Sequence, residues 1–326
     1  MKFFLQLFPL LLLAKSIHIS PLCRPEEFLY DYSTSSQESA KPFYSLRVAL
    51  EKAGYRVFLY THNVNFEDTV AILSFNDNPY SGPLRSFPKE RRLHFVFESP
   101  VVLPEFYSPQ LKNIYGKIFV MLDSMIDNKH YFKLHYPQPR LTMLESLPDF
   151  ESKRLCAMVA SNKDFNHPKS LYRERRQVIQ FFSRKKIQWE FDLYGPGWEG
   201  TYNWKGTIHN KWETLKNYRF CFCYENMQNQ LGYITEKIFD CFIAGCVPIY
   251  WGASNITDYV PADCFIDRRD FTTNDQLYHF IRHMDKATYD AKLNAIRAYL
   301  ATPQAHLFST EHFVNMILDE IARLDK

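Results

Sequence analysis

Thr235-Glu236-Lys237 opens a stretch in which Ile238, Phe239, Phe242 and Ile243 fall on one helical face and Gly245 supplies a stop, which predicts a helix from about Glu236 to Ala244. Thr235 is a suitable N-cap, so Lys237 belongs to the first turn. Free amide groups give that end partial positive charge. A lysine there is out of place unless an anion joins it; the competing reading is a lysine facing solvent, at a cost under about 1 kcal/mol. Phosphate is a natural anion for a helix N-terminus, and Lys237 is suited to supply a cation to a diphosphate. Glu236 is an acceptor-only group suited to ribose or sugar hydroxyls. Just upstream, Glu225-Asn226 ends the apolar run Arg219 to Tyr224, which reads as a strand buried on both faces. CVPIYW forms the next strand and Gly252 ends it. This strand–loop–helix–strand unit gathers Glu225, Asn226 and the helix start at the carboxyl ends of strands, where open α/β sheets bind ligands.

A second chemical candidate lies in the first half. Glu98 ends the β-rich run LHFVFESP (Leu93 to Pro100), before a proline turn, and is placed to reach a cleft as a general base. A surface carboxylate at a strand end is the plainer reading. Glu105 is close by and easily mistaken for such a base. Asp123 and Asp127 are expected to share a helical face and to be solvated. No Asp-x-Asp triplet occurs, so that metal-chelating pattern is absent and no required metal is expected.

The elements that must hold these residues follow from the periodicity. Ser45 to Ala53 reads as a helix stopped by Gly54, and Tyr55–Tyr60, Val70–Phe75 and Leu93–Pro100 as strands. Residues 136–149 hold three prolines and read as a linker. Alternation then restarts: strand Leu155–Ala160, helix Ser170–Phe182, strand Glu190–Tyr194, a helix near Lys211–Asn217, the unit above, and a C-terminal helical region. Strands alternating with helices predict parallel sheets with crossover helices. Two α/β halves in tandem, residues 1–145 and 146–326, with a ligand held between them, is the expected organisation.

The composition narrows the class. The 326 residues are 46% apolar and 17% aromatic, enough for two packed cores. A formal charge of +3, without a long basic tract, disfavours nucleic acid. The runs Arg173, Arg175, Arg176 and Arg184, Lys185, Lys186 read as solvated helix faces. The seven cysteines are an odd number without a CxxC, so neither a zinc framework nor a full disulfide set is indicated. Cys221 and Cys223, on one strand face, could together hold a metal, but the plainer reading is two small buried hydrophobes. Residues 3–14 are apolar apart from interruptions at Gln6 and Pro9, and shorter than the roughly 20 residues that span a bilayer. They suit a signal-peptide core, a shallow membrane contact or a buried first element.

The segment FCYEN…GYITEKIFDCFIAGCVPIYWG…DYVPADCFIDRRDF, with WKGTIHNKWETLKNY just upstream, resembles the donor-binding signature of the α-1,3/1,4-fucosyltransferases. The resemblance runs over roughly Asp192 to Phe271, with YITEK, AGCVPIYWG and FID in order at the family's spacing. LCAMVASN and, in the first half, FESP are weaker matches. What the resemblance implies is a GT-B fold, with residues 1–145 binding the acceptor and residues 146–326 binding GDP-fucose. The FESP motif would carry the catalytic carboxylate, Glu98. Tyr233, Glu236 and Lys237, with Thr235 in the same motif, would contact guanosine, fucose and diphosphate between them. Glu225 and Asn226 match the family's pair beside the nucleotide. A basic residue after the Ser161-Asn162 pair would hold the diphosphate, with Lys169, Arg173 and Lys205 as candidates.

The implied reaction is inverting transfer of L-fucose from GDP-β-L-fucose to a hydroxyl of an N-acetylglucosamine-containing glycan, α-1,3 in linkage. It needs no cofactor, with Mg²⁺ or Mn²⁺ as a stimulant of product release. The alternatives are a GT-B transferase using another nucleotide sugar and a non-catalytic glycan-binding relative. No nucleic-acid partner is expected. With no clear spanning segment or stem, the expected location is cytoplasmic with membrane contact through residues 1–14, and a Golgi or secretory-pathway membrane is the alternative. Asn255-Ile256-Thr257 is an N-glycosylation sequon, a pattern that also occurs often by chance.

Overall fold

The computed structural model describes residues 15–21, 40–59, 66–77, 86–184 and 187–326. Residues 1–14, Cys23, Lys185 and Lys186 lie outside them. The chain forms two parallel α/β sheets in succession. The first contains β1 (Ser16–Pro21), then helix α1 (Lys41–Lys52), β2 (Arg56–Leu59), β3 (Thr69–Phe75), β4 (Arg92–Val96), β5 (Lys117–Val120) and β6 (Tyr131–Lys133). Its strand order is β2-β1-β3-β4-β5-β6, every pair parallel. The described side chains of β3 and β4 are buried throughout, as expected where both faces of a parallel sheet are covered.

Residues 136–149 hold no helix or regular strand, and backbone bonds stitch them to the later chain. Gln138 N donates to Phe308 O at 2.7 Å and Leu144 N to Ile243 O at 2.8 Å. The second sheet holds β7 (Arg154–Val159), β8 (Phe191–Tyr194), β9 (Tyr218–Tyr224), β10 (Val247–Trp251) and β11 (Ile266–Asp267), in the order β11-β10-β9-β7-β8. Between and after these strands come α2 (Tyr172–Arg184), α3 (Lys211–Leu215), α4 (Glu236–Ile243), α5 (Asn274–Arg282), α6 (Lys286–Leu300), α7 (Pro303–His306) and α8 (Thr310–Leu324).

The strand order reverses between β7 and β9, and the crevice beyond the carboxyl ends of strands at such a point is where α/β sheets take ligands. The predicted helix after Thr235 is α4. Thr235 caps it, accepting the Lys237 amide, and Gly245 ends it at φ +62°, a conformation without steric cost only for glycine. Ile238, Phe239 and Phe242 are wholly buried against the sheet, each worth roughly 1.5–3 kcal/mol of burial.

The last helix departs from the expected division. Phe313, Val314, Ile317 and Ile321 of α8 pack with Ile17, Leu46, Phe75 and Phe95 in the core of the first domain. The unit expected to run to residue 326 therefore gives its final helix back to residues 15–134. Asp123 and Asp127 also differ from expectation. They sit in irregular turns around β6 rather than on one helix face, and only Asp127 is a solvent-side turn residue, accepting the amides of Lys129, His130 and Tyr131. Cys156, Cys221, Cys223, Cys241, Cys246 and Cys264 are buried free thiols. No helix among the described residues is long and apolar enough to cross a membrane.

Candidate active site

A cleft of about 510 Å³ opens between the two domains. Its floor is the carboxyl end of β7 and β9, from Met158 to Ser161 and from Cys221 to Tyr224. The first domain contributes Glu98, and the second contributes Asn226, Glu236 and Lys237. Strand β4 ends at Val96, and Ser99 and Pro100 turn the chain, so the Glu98 side chain is left facing the other domain. There Asn226 Nδ2 donates to Glu98 Oε2 at 3.3 Å, and the Tyr107 hydroxyl donates to the Glu98 carbonyl. Burial pushes the Glu98 carboxyl above the ordinary carboxylate range; Lys237 pulls it back down and Glu236 pushes it further up.

The start of α4 is built around a buried carboxylate. Glu225 is 0% exposed and accepts from Thr235 N at 2.9 Å, from Thr235 Oγ1 at 2.8 Å and from Lys237 Nζ at 3.1 Å. Lys237 Nζ also donates to Thr235 Oγ1 at 3.0 Å and lies 3.6 Å from Glu236 Oε1. The anion that joins Lys237 in the free protein is thus the chain's own Glu225. Burial alone would lower the Lys237 pKa, but Glu225 and then Glu236 outweigh it and raise it. Burial likewise would raise Glu236, and Lys237 and Lys211 overcome that, holding it down to about 2. Both groups are therefore charged at neutral pH, and each keeps about a quarter of its side chain open to the cleft.

Several expected site residues lie elsewhere. Glu225 supports the site from beneath rather than lining it, because its three hydrogen bonds consume it. Tyr233 is 1% exposed and packs in the hydrophobic cluster shared with Phe97 and Leu122, since apolar burial wins over exposure of its ring to the cleft. Thr235 is a buried cap. Asn162 turns away, donating to Gly197 O at 2.7 Å. Lys169 and Arg173 are exposed outside the cleft lining, as is Lys205, whose Nζ sits 3.6 Å from Asp192 Oδ1.

The basic residues that do line the cleft are Lys163, Arg175 and Lys211 beside Lys237. Arg175 is 5% exposed, not solvated as its sequence run suggests. Its Nη2 donates to Tyr224 O at 2.6 Å, Glu225 O at 2.8 Å and Asn226 Oδ1 at 3.1 Å, and its guanidinium lies over the Tyr172 ring. That last bond orients the Asn226 amide so that its NH₂ faces Glu98. Helical phase marks Arg175: it shares a face with Tyr172, Val178, Ile179 and Phe182, all buried. Lys163 directly follows the Ser161-Asn162 pair. Lys211, at the start of α3, is held by Asp240 Oδ2 at 2.8 Å, and Asp240 Oδ1 accepts Trp212 Nε1 at 2.9 Å. Nothing local distinguished it in sequence.

A cleft with four cations, a helix N-terminus and a half-shielded carboxylate opposite suits a polyanionic ligand carrying a polar group. Residues 150–294 match the model of the glycosyltransferase family 10 (fucosyltransferase) C-terminal domain. An alpha-(1,3)-fucosyltransferase of Helicobacter pylori is 35% identical over 77 residues, 24% of this chain and 16% of that protein. Alpha-(1,3)-fucosyltransferase 4 of Bos taurus is 28% identical over 206 residues, 60% of this chain and 47% of that one. The human 4-galactosyl-N-acetylglucosaminide 3-alpha-L-fucosyltransferase 9 is 28% identical over 136 residues, 41% of this chain and 34% of its own length. The matched stretches thus span less than half of these relatives. Among solved structures, an alpha1,3-fucosyltransferase with GDP superposes with a TM-score of 0.57 at 17% identity, covering 95% of this chain and 91% of that one. An alpha-glucosyltransferase in complex with UDP and DNA superposes at 0.58 with 10% identity, covering 94% and 100%. Residues 150–294 are thus similar to the C-terminal domain of the glycosyltransferase family 10 fucosyltransferases, and the two domains of the chain have the GT-B fold.

Proposed function

We propose that this protein transfers L-fucose from GDP-β-L-fucose to a hydroxyl of an N-acetylglucosamine-containing glycan, with inversion and in α-1,3 linkage. The observation that carries the reading is the facing of Glu98, from one domain, against Glu236 and Lys237 at the start of α4 in the other. The relatives' names, an alpha-(1,3)-fucosyltransferase and a 4-galactosyl-N-acetylglucosaminide 3-alpha-L-fucosyltransferase, support the linkage and the acceptor sugar. In this reading the nucleotide lies along the carboxyl edge of β7 and β9, with its diphosphate near Lys237, Lys211, Lys163 and Arg175. Lys237 is fixed in direction by Glu225, so no reorganisation is needed as charge builds on the departing GDP. Glu98 takes the proton of the acceptor hydroxyl as that oxygen attacks the anomeric carbon opposite the leaving group. Its raised pKa brings it closer to that of an effective base at neutral pH. Glu236, ionised and about a quarter exposed, accepts from sugar or ribose hydroxyls.

The test is incubation of the pure protein with GDP-fucose and an array of N-acetyllactosamine, lacto-N-biose and chitobiose glycans, with product linkage read by NMR. α-1,3-Fucosylated product supports the proposal, and absence of transfer to every acceptor refutes it. The fold likeness to a UDP-dependent enzyme favours one second reading, a different nucleotide sugar. Calorimetry with GDP-fucose, GDP-mannose and UDP-sugars decides between them by which binds tightest. The transfer is proposed to run without a metal, Mg²⁺ or Mn²⁺ only hastening product release; activity lost in EDTA and restored by Mn²⁺ contradicts this.

A further inference from the structure

The two domains are bridged at a second place, away from Glu98. Asp123, in the turn after β5, has its amide bonded to Leu231 O at 3.0 Å. Its Oδ1 accepts Lys133 Nζ at 2.7 Å and the Tyr259 hydroxyl at 2.6 Å, and its Oδ2 accepts Asn255 Nδ2 at 3.0 Å. Asp123 and Lys133 belong to the first domain, Asn255 and Tyr259 to the second. Asn255 Oδ1 in turn accepts the Gly232 amide at 2.9 Å, and Lys133 Nζ lies 4.8 Å from the centre of the Tyr259 ring and donates to Met121 O at 2.7 Å. The Asp123 carboxylate therefore satisfies groups from both domains with charge-assisted bonds.

What this cluster grips is the approach to α4. Gly232 has φ +74°, and a Cβ there would fall 2.3 Å from Asp123 Oδ1 and 2.5 Å from Lys133 Nζ, so the backbone is pressed directly against the pair. Three residues later Thr235 caps the helix, and Glu236 and Lys237 follow. The same bonds engage both ends of the Asn255 side-chain amide, so the sequon nitrogen is committed to Asp123 rather than offered to a glycan.

We infer that Asp123 is a positioning residue of the first domain that clasps Leu231-Gly232 and, through that loop, fixes Glu236 and Lys237 in the cleft. The clasp makes donor-site geometry depend on the domains being together: when they part, the loop loses its bonds to the Asp123 amide and to Lys133 Nζ. This rests on the donor reading above for the identity of the nucleotide, but the clasp itself is observable without one.

The experiment uses the full chain, the single variants Asp123→Ala, Tyr259→Phe and Asn255→Ala, and the double variant of the first two, with GDP as the probe. Hydrogen exchange without ligand should rise at residues 229–237 in each variant and stay unchanged in β4, β7 and β9. GDP affinity should fall about tenfold for Asp123→Ala and about threefold for Tyr259→Phe, the scale of one to two hydrogen bonds. Tyr259→Phe should cost nothing further in the Asp123→Ala background. With GDP-fucose and acceptor, the donor KM should rise while the acceptor KM stays constant. Faster exchange throughout the protein, or unchanged exchange at 229–237, overturns the proposal. So do additive effects of the two substitutions. Should the wild type fail to bind GDP, the donor reading falls, and the exchange pattern alone still decides on the clasp.

Discussion

Replacing Glu225 with glutamine tests how the lysine in the first turn of α4 is tolerated. The carboxylate is wholly buried, accepts three hydrogen bonds and is the nearest anion to Lys237, at 3.1 Å. Glutamine keeps the shape and one acceptor, which the Thr235 amide can retain. Its NH₂ then faces Lys237 and the Thr235 hydroxyl. The hydroxyl can rotate to accept, but the ammonium meets a donor and loses its counterion. Breaking one side of a buried pair costs about 3–5 kcal/mol. Lys237 keeps 23% of its side chain exposed and can partly rehydrate, which places the expected loss at the lower end, about 3 kcal/mol. Lys237→Met should cost a similar amount by stranding the carboxylate. The double variant should cost at least about 2 kcal/mol less than the sum, because neither charge is then left alone. Urea denaturation of the four proteins measures this. A loss below about 1 kcal/mol for Glu225→Gln, or additive losses, would show that Lys237 takes its counterion from solvent and that Glu225 is merely a cap acceptor.

Three further outcomes follow from the same geometry. Glu98→Gln should keep GDP-fucose affinity while kcat falls by at least ~10²-fold. The acid limb of the wild-type rate profile should lie above the ordinary carboxylate value of 4.5, because burial raises Glu98, and should vanish in the variant; an unchanged kcat removes Glu98 from the mechanism. Arg175→Met should destabilise by about 2–4 kcal/mol, since the carbonyls of Tyr224 and Glu225 lose a charged donor, and Arg175→Lys should recover less than half, its single ammonium replacing a planar fork. A loss under about 1 kcal/mol, read by urea denaturation, contradicts that role. His94, wholly buried against Tyr115 and Phe106, has its pKa lowered from 6.5 to about 3 by burial. The unfolded chain therefore takes up the proton first, and the stability present above pH 6.5 is lost as pH falls, by about 2 kcal/mol at pH 5. His94→Phe should lack that portion of the slope between pH 7.5 and 5, and identical slopes would refute it.

Sequence alone determined what local pattern can carry. The apolar run Arg219–Tyr224, the cap at Thr235, the apolar face of α4 and the stop at Gly245 are each set by residues within a few positions of one another, so their reading needed no partner. The proline-rich stretch 136–149 likewise announced an irregular crossing. Short strands such as Lys117–Val120 and Tyr131–Lys133 escaped notice, because three or four residues give too little periodicity to stand out. The resemblance to the family's motifs, together with the strand ends and the helix start, singles out Glu98, Asn226, Glu236 and Lys237, and the cleft contains all four.

Tertiary structure decided which cations face that cleft. Arg173 and Arg175 are two residues apart, but helix α2 meets the sheet on one face only, so one is solvated and the other buried. It also decided that Glu225 is Lys237's partner, that Tyr233 belongs to a core, that α8 returns to the first sheet, and that Asp123 clasps the loop before α4. Asp123 and Tyr259 are separated by 136 positions, and Lys117 and Glu320 by 203. Such pairings arise from how two sheets and their crossovers are packed. Hydrophobic periodicity records which face of an element is buried, but not which distant side chain will meet it there.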